Sequence, residues 1–258
     1  MSHLQCYYIA FKTLAHKEIR RFIRIWIQTL LPPAVTMTLY FVIFGSLIGT
    51  RIGPMEGFSY MDYIAPGLIM MAIITHAYSN VVASFFSAKF QHYIEELLVS
   101  PTPNGIILAG YVAGGVIRGL MAGLIVLIIS IFFTHLKIEH PLMTCMVAIL
   151  TACVFALGGF INAIFANDFD DISIVPNFIL TPLTYLGGVF YSINLIPEVA
   201  QTASLFNPIF YMVNAFRYGT LGISDIDIRM AFAIILIFLI GMTGIALYLL
   251  NKGVGIRA

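Results

Sequence analysis

Charge is what this sequence has least of. Lys and Arg number 13 and Asp and Glu 12, only 10% of 258 residues, where an ordinary soluble domain carries about 25%. With 60% hydrophobic residues, a soluble fold of this length has nowhere to hide so much apolar surface. A net charge of +1 gives none of the broad positive field that nucleic-acid binding uses, so no nucleic-acid partner is expected. No Gly-Lys pair occurs anywhere, so the phosphate loop G-x-x-x-x-G-K-S/T is absent and the chain is not expected to hydrolyse ATP by itself. H-E-x-x-H and G-x-S-x-G are missing too, which argues against a zinc peptidase or a serine hydrolase. Cys6, Cys145 and Cys153 are an odd number without C-x-x-C spacing and are expected to be small buried hydrophobes. The polar, basic N-terminus lacks the short apolar core of a removable signal.

What is abundant is apolar sequence in long runs. A spanning helix needs about 20 mostly apolar residues to cross about 30 Å of hydrocarbon. Six segments qualify: residues 25–48, 63–88, 105–134, 142–166, 172–190 and 228–250. The expected fold is an all-α membrane protein, with one transmembrane domain over 25–252 and no room for a separate soluble domain. Between the fifth and sixth spans, Ser192 to Asp227 is too rich in breakers (Pro197, Asn207, Pro208, Gly219) to cross. Its stretch Ile209 to Phe216 is too apolar for a free loop. The segment is expected to be a short, partly re-entrant helical hairpin ending near Arg217.

Residues 1–24 precede the first span. Leu4, Tyr7, Tyr8, Phe11, Leu14, Ala15, Ile19, Phe22 and Trp26 recur at three- and four-residue spacing, while Lys12, His16, Lys17, Arg20, Arg21 and Arg24 fill the other face. That pattern predicts an amphipathic helix in the membrane interface, with its cations near anionic headgroups.

Six spans put both termini on one side. That side holds Lys12, Lys17, Arg20, Arg21, Arg24, Lys89, Lys252 and Arg257, against Arg51, Lys137, Arg217 and Arg229 on the other. Positive residues are retained in the cytoplasm, so both termini are expected there, with Lys89 to Asn104, and Ser192 to Asp227 is expected outside.

An ion-coupled carrier ordinarily needs carboxylates at mid-membrane, and all twelve here are expected at span ends or in loops. Arg118 is the one charge expected well inside a span, at about 2.5–3.5 kcal/mol on insertion scales. Either it lines a polar path and meets an anionic substrate, or it pairs with polar groups between helices. Gly110 and Gly114, then Gly115, Gly119 and Gly123, have the small-x-x-x-small spacing that lets helices approach closely. Thr75, His76, Ser79, Asn80, Ser84 and Ser87 form a polar strip with His76 and Asn80 on one face, suited to lining a cavity or to hydrogen bonding between helices. In Glu95-Glu96-Leu97-Leu98-Val99-Ser100-Pro101, acids beside leucines make either a solvated connector or a partner's docking point.

Three stretches carry a resemblance over essentially the whole chain: EELLVSP at Glu95 to Pro101, FDDISIVPNFILTP at Phe169 to Pro182, and Gly187 to Arg217 with GGVFYS, LIPE and NPIFYMVNAFR. Together they resemble the ABC-2 family of export permeases. The resemblance implies the ABC-2, or type V exporter, fold: six spans, an N-terminal interfacial helix and an outward re-entrant hairpin before the last span. It implies that Glu95, Glu96, Leu97, Leu98 and Pro101 form a coupling helix docking on a separate ATPase, and that Lys17, Arg20 and Arg21 border the same subunit. It further implies two copies of this chain with two ATPase subunits in a bacterial inner membrane, ATP and Mg being bound by the ATPase and no cofactor by this chain. Cargoes of such permeases include drugs, glycans and lipid-linked precursors. His76, Asn80 and Arg118 are the candidate substrate path, and Pro197, Asn207, Pro208 and Arg217 mark the hairpin. A non-transporting scaffold and an ATP-independent channel built around Arg118 are the other readings.

Overall fold

The computed structural model describes residues 3–255, without the side chains of Ser46, Leu47, Ile48 and Thr50. Arg257, counted above with the cytoplasmic charges, lies outside the described residues. Regular structure among the described residues is helical. It runs α1 (His3–Arg24), α2 (Trp26–Val42), α3 (Tyr60–Phe90), α4 (Tyr93–Val99), α5 (Asn104–Ile131), α6 (Pro141–Phe165), α7 (Asp171–Val175), α8 (Glu198–Leu205), α9 (Pro208–Leu221) and α10 (Ile228–Lys252). Helix α2 continues through a π-helical stretch, Ile43–Ile48, into a last turn, Gly49–Ile52, and α7 through Pro176–Leu180 into Thr181–Tyr185.

Five helices are long and apolar enough to cross a membrane: Trp26–Gly45, Tyr60–Phe90, Asn104–Ile131, Pro141–Phe165 and Ile228–Lys252. The expected fifth span, 172–190, is helical only to Tyr185. Its three five-residue pieces make about 22 Å of helix at 1.5 Å per residue, against about 30 Å of hydrocarbon. The chain turns at Gly187-Gly188, where Gly188 has a φ of +71°, a conformation cheap only for glycine. Asn207 then pins the turn by donating to the Leu183 carbonyl at 2.5 Å.

Local chemistry explains the helix ends. Ser59 caps α3, accepting from the Asp62 amide at 3.2 Å. Asn207 caps α9 through the Ile209 amide at 3.0 Å, with Pro208 in the first turn, and Asp227 caps α10 through the Arg229 amide at 2.7 Å. Each satisfies an amide that a helix start leaves orphaned.

Helix α3 is the centre, largely buried between α5, α6 and α9. The glycines of α5 serve two faces. A methyl on Gly115 or Gly119 would stand 2.9 Å from the Ala77 and Ile73 carbonyls of α3, and one on Gly110 or Gly114 within 2.6 Å of the Leu14 and Glu18 side chains of α1. Here small residues let backbones close up. The pairing sets register: α3 runs antiparallel to α5 and α1 parallel to it. The line Leu14, Glu18, Phe22 of α1 is therefore buried in the bundle, whereas Leu4, Tyr8 and Trp26 of the expected apolar stripe stay exposed.

One end of the bundle gathers α4, the α5 start and the α6 and α10 ends, since Asn104 bonds Asn251 at 2.8 Å and Lys89 donates to the Ile164 and Ala166 carbonyls at 2.7 and 2.6 Å. Cys6 and Cys145 are exposed and Cys153 half-buried, all as free thiols, contrary to the buried placement expected. A lipid-facing surface is as apolar as a core, so a small hydrophobe there needs no burial.

Candidate functional site

The polar strip of α3 does not act as one surface. Ser79 turns back onto its own helix, donating to the Thr75 carbonyl at 2.6 Å. His76, Asn80 and Ser84, each four residues apart, share the face toward α1 and α5 and form a ladder with them. On the first rung Ser84 donates to Glu18 at 2.5 Å, with Arg21 Nε 3.3 Å and Lys17 Nζ 3.7 Å from the same carboxylate. On the second rung Arg21 donates to the Asn80 carbonyl at 3.0 Å and to its side-chain oxygen at 2.8 Å. The third rung is His76 with Arg118, each next in sequence to a residue of the close Ala77–Gly119 contact between α3 and α5. The structure therefore brings His76, Asn80 and Arg118 together with Arg21, while Lys17 lies over the Tyr111 ring at 5.5 Å and Arg20 is exposed.

Two charges depart from the sequence expectation. Glu18 is buried at 1% exposure in the bundle rather than lying with the loop and span-end carboxylates, and Arg118 is not the one interior charge, because Arg217 is also only 1% exposed. Arg217 donates to the Gly188 carbonyl at 2.5 Å, lies 4.1 Å over the Tyr63 ring and 3.9 Å from Asp225. Asp225 in turn accepts from Ser192 at 3.0 Å. Arg217 thus ties α3, the 186–193 turn and the chain after α9 into one unit, and does not act as a loop cation.

The 192–227 segment holds two helices of unequal length and burial. Pro197 opens α8, where Val199 and Phe206 are each 84% exposed, whereas Ile209 to Phe216 of α9 is buried.

At the other end α4 stands out from the bundle. His92, with a φ of +61°, turns the chain sharply after α3, and its ring meets Glu95 at 2.7 Å. Ile94 anchors the helix; Glu95, Glu96 and Pro101 are exposed. Leu97 and Leu98 pack back on the core, so the apolar groups presented outward are Tyr93 and Val99, the latter 88% exposed. Sequence patterning missed this pair because it cannot tell which side of a seven-residue helix faces the bundle.

An apolar groove of about 230 Å³ between α3, α5 and α6, lined by Ile73, Leu120, Leu127, Cys145 and Phe216 among others, carries no charged group. Among the described residues no cluster of His, Cys, Asp or Glu is placed to hold a metal.

The model of the family "ABC-2 type transporter" matches residues 9–221. The chain is similar over its full length, and over the full length of the relative, to the inner membrane transport permease YadH of Escherichia coli K12, at 54% identity over 258 residues. It is also similar to nodulation protein J of Rhizobium leguminosarum bv. trifolii, at 24% identity over 185 residues, covering 71% of each chain. On the family match and the full-length relative, this chain belongs to the ABC-2 type transporter family.

Proposed function

We propose that this chain is the membrane-spanning subunit of an ATP-driven exporter in a bacterial inner membrane, moving an amphiphilic, lipid-like, glycan or drug substrate outward. Energy comes from a separate ATP-binding subunit, which holds ATP and Mg; two copies of it work with two copies of this permease. The observation that carries the reading is α4, a short helix projecting beside the central span in a transporter-family chain without a phosphate loop. Its exposed Glu95, Glu96, Tyr93 and Val99 suit docking into a groove, as an acidic rim around apolar anchors does in other interfaces.

In this arrangement the chain crosses six times, the short α7 stretch completing the fifth passage with the turn that follows, and both termini are cytoplasmic. Burial of Arg217 supports that orientation, because a paired interior cation drops out of the count of loop charges and leaves fewer on the outer side. Lys17, Arg20 and Arg21 of α1 lie on the side of Arg118 nearer the ATP-binding subunit, Arg21 being held in the ladder by Asn80, and the α8–α9 hairpin, from Pro197 through Asn207 and Pro208, re-enters from the outside.

Tagging the C-terminus, extracting membranes in mild detergent and identifying the co-purifying proteins by mass spectrometry tests this. An ATP-binding subunit in equal amount is the expected result. A stable oligomer of this chain alone would favour a scaffold or an ATP-independent channel.

A further inference from the structure

The ladder ends in a cation that no described residue neutralises. Arg118 stands one helical turn beyond Gly114, about 21 Å along α5 from Asn104 at 1.5 Å per residue. Its Nε is buried without a hydrogen-bond partner, and among the described residues no carboxylate pairs with it. Glu18, two rungs away, is engaged through Oε2 by Ser84 and Arg21, and Lys17 lies 3.7 Å from its Oε1, which has no hydrogen-bond partner.

The unpartnered buried atoms of the second and third rungs are all nitrogens. Asn80 is fully buried, and Arg21 holds its side-chain oxygen and its carbonyl, so the end left without a partner is the amide nitrogen Nδ2. His76 Nδ1 is likewise buried and unpaired. A guanidinium, an amide nitrogen and an imidazole with its proton on Nδ1, on neighbouring rungs of one face, form a donor set for an oxyanion. Leaving such donors unmade inside a membrane is costly. Water accepts a hydrogen bond but does not neutralise the cation.

The site is also reachable. Arg118 and His76 are only part buried, and Thr75 and Ser79 beside them on α3 are half-exposed. At this depth a free inorganic ion would lose its hydration with nothing to offset the loss, whereas an amphiphile carries apolar chains that remain in the hydrocarbon.

We propose that Arg118, His76 and Asn80 form a binding site for the phosphate-bearing headgroup of an anionic amphiphile. The Glu18 and Arg21 rungs lead to it from the α4 end of the bundle. The site deepens the exporter reading by naming the cargo's headgroup chemistry and rests on that reading only for the direction of movement; binding itself needs no ATP-binding subunit.

Native mass spectrometry of the full chain released from detergent, titrated in turn with dioleoylphosphatidylglycerol, dioleoylphosphatidylcholine and inorganic phosphate, tests the site apart from transport. The expected result is a first-site preference for phosphatidylglycerol over phosphatidylcholine of about tenfold or more, the scale of one charge-assisted hydrogen bond. That preference is lost in Arg118→Gln, weakened in His76→Leu, and kept in Lys12→Gln, which removes an exposed cation of α1. Equal binding of the two lipids by the wild-type chain overturns the site, whether or not Arg118→Gln folds. An unchanged preference in Arg118→Gln overturns it too, and inorganic phosphate binding as strongly as phosphatidylglycerol overturns the amphiphile assignment in favour of a free anion. Failure to co-purify an ATP-binding subunit leaves these outcomes untouched and counts only against the exporter.

Discussion

Glu18 and Ser84, 66 residues apart, meet through a 2.5 Å hydrogen bond at the seam between the N-terminal helix and the central span. A carboxylate at 1% exposure needs both a donor and a countercharge, and Ser84 and Arg21 supply them. The bond makes α1 part of the bundle, so displacement of α1 reaches α3 directly. Glu18→Ala removes the carboxylate from Arg21, which keeps its bonds to Asn80, and takes the acceptor from Ser84, and thermal unfolding in detergent should show a loss of about 1–3 kcal/mol. An unchanged midpoint would mean that α1 is only loosely attached.

The glycines of α5 separate packing from mere composition. Gly119→Leu drives a side chain into Ala77 and the Ile73 carbonyl, an overpacking of about 1–3 kcal/mol or more, and should reduce the yield of folded protein. Gly244→Ala on α10, with nothing within 4 Å, should be neutral or gain about 0.4–1 kcal/mol. The two midpoints, measured side by side, check the two-faced packing of α5.

Removing Arg217 leaves Asp225 buried beside Ser192 without its cation. Loss of one partner of a buried pair costs about 3–5 kcal/mol, so Arg217→Met should lower the unfolding midpoint and expose the hairpin to added protease. Arg217→Lys should not restore it, because a lysine cannot both stack on Tyr63 and reach the Gly188 carbonyl as the planar guanidinium does. Full rescue by lysine would show that charge alone matters there.

On α4 the neighbours Leu98 and Val99 should behave differently. Leu98 packs on the core and Val99 points away. Leu98→Asp should therefore lower thermal stability, whereas Val99→Asp and Glu95→Lys should leave it unchanged and remove the co-purifying ATP-binding subunit. Equal stability loss at both positions would make α4 a folding element.

Much of this was legible in the sequence because a membrane helix is announced by its own apolar run. The expected ranges 105–134, 142–166 and 228–250 lie within a few residues of the helices observed. The end of the fifth run was not legible, since residues 186–190 are as apolar as those before them and the turn depends on Gly188 and on Asn207 reaching Leu183. Glu18 was missed for a related reason. On a helical wheel it belongs with cations on a wet face, and its burial depends on Gly114 and Ser84, both distant in sequence. His76 and Asn80 were found because four-residue spacing within one helix fixes a shared face, yet only the fold brings Arg21 to the ladder.

A separate ATP-binding subunit that drives this permease through α4 must lie against that helix and not against α8. Val99 and Val199, at 88% and 84% exposure on opposite ends of the chain's fold, allow a matched test. A photo-crosslinking amino acid is placed at each position in intact cells. An adduct with an ATP-binding protein from Val99, and none from Val199, is the predicted result; no such adduct from Val99, or one from Val199 instead, would contradict the account.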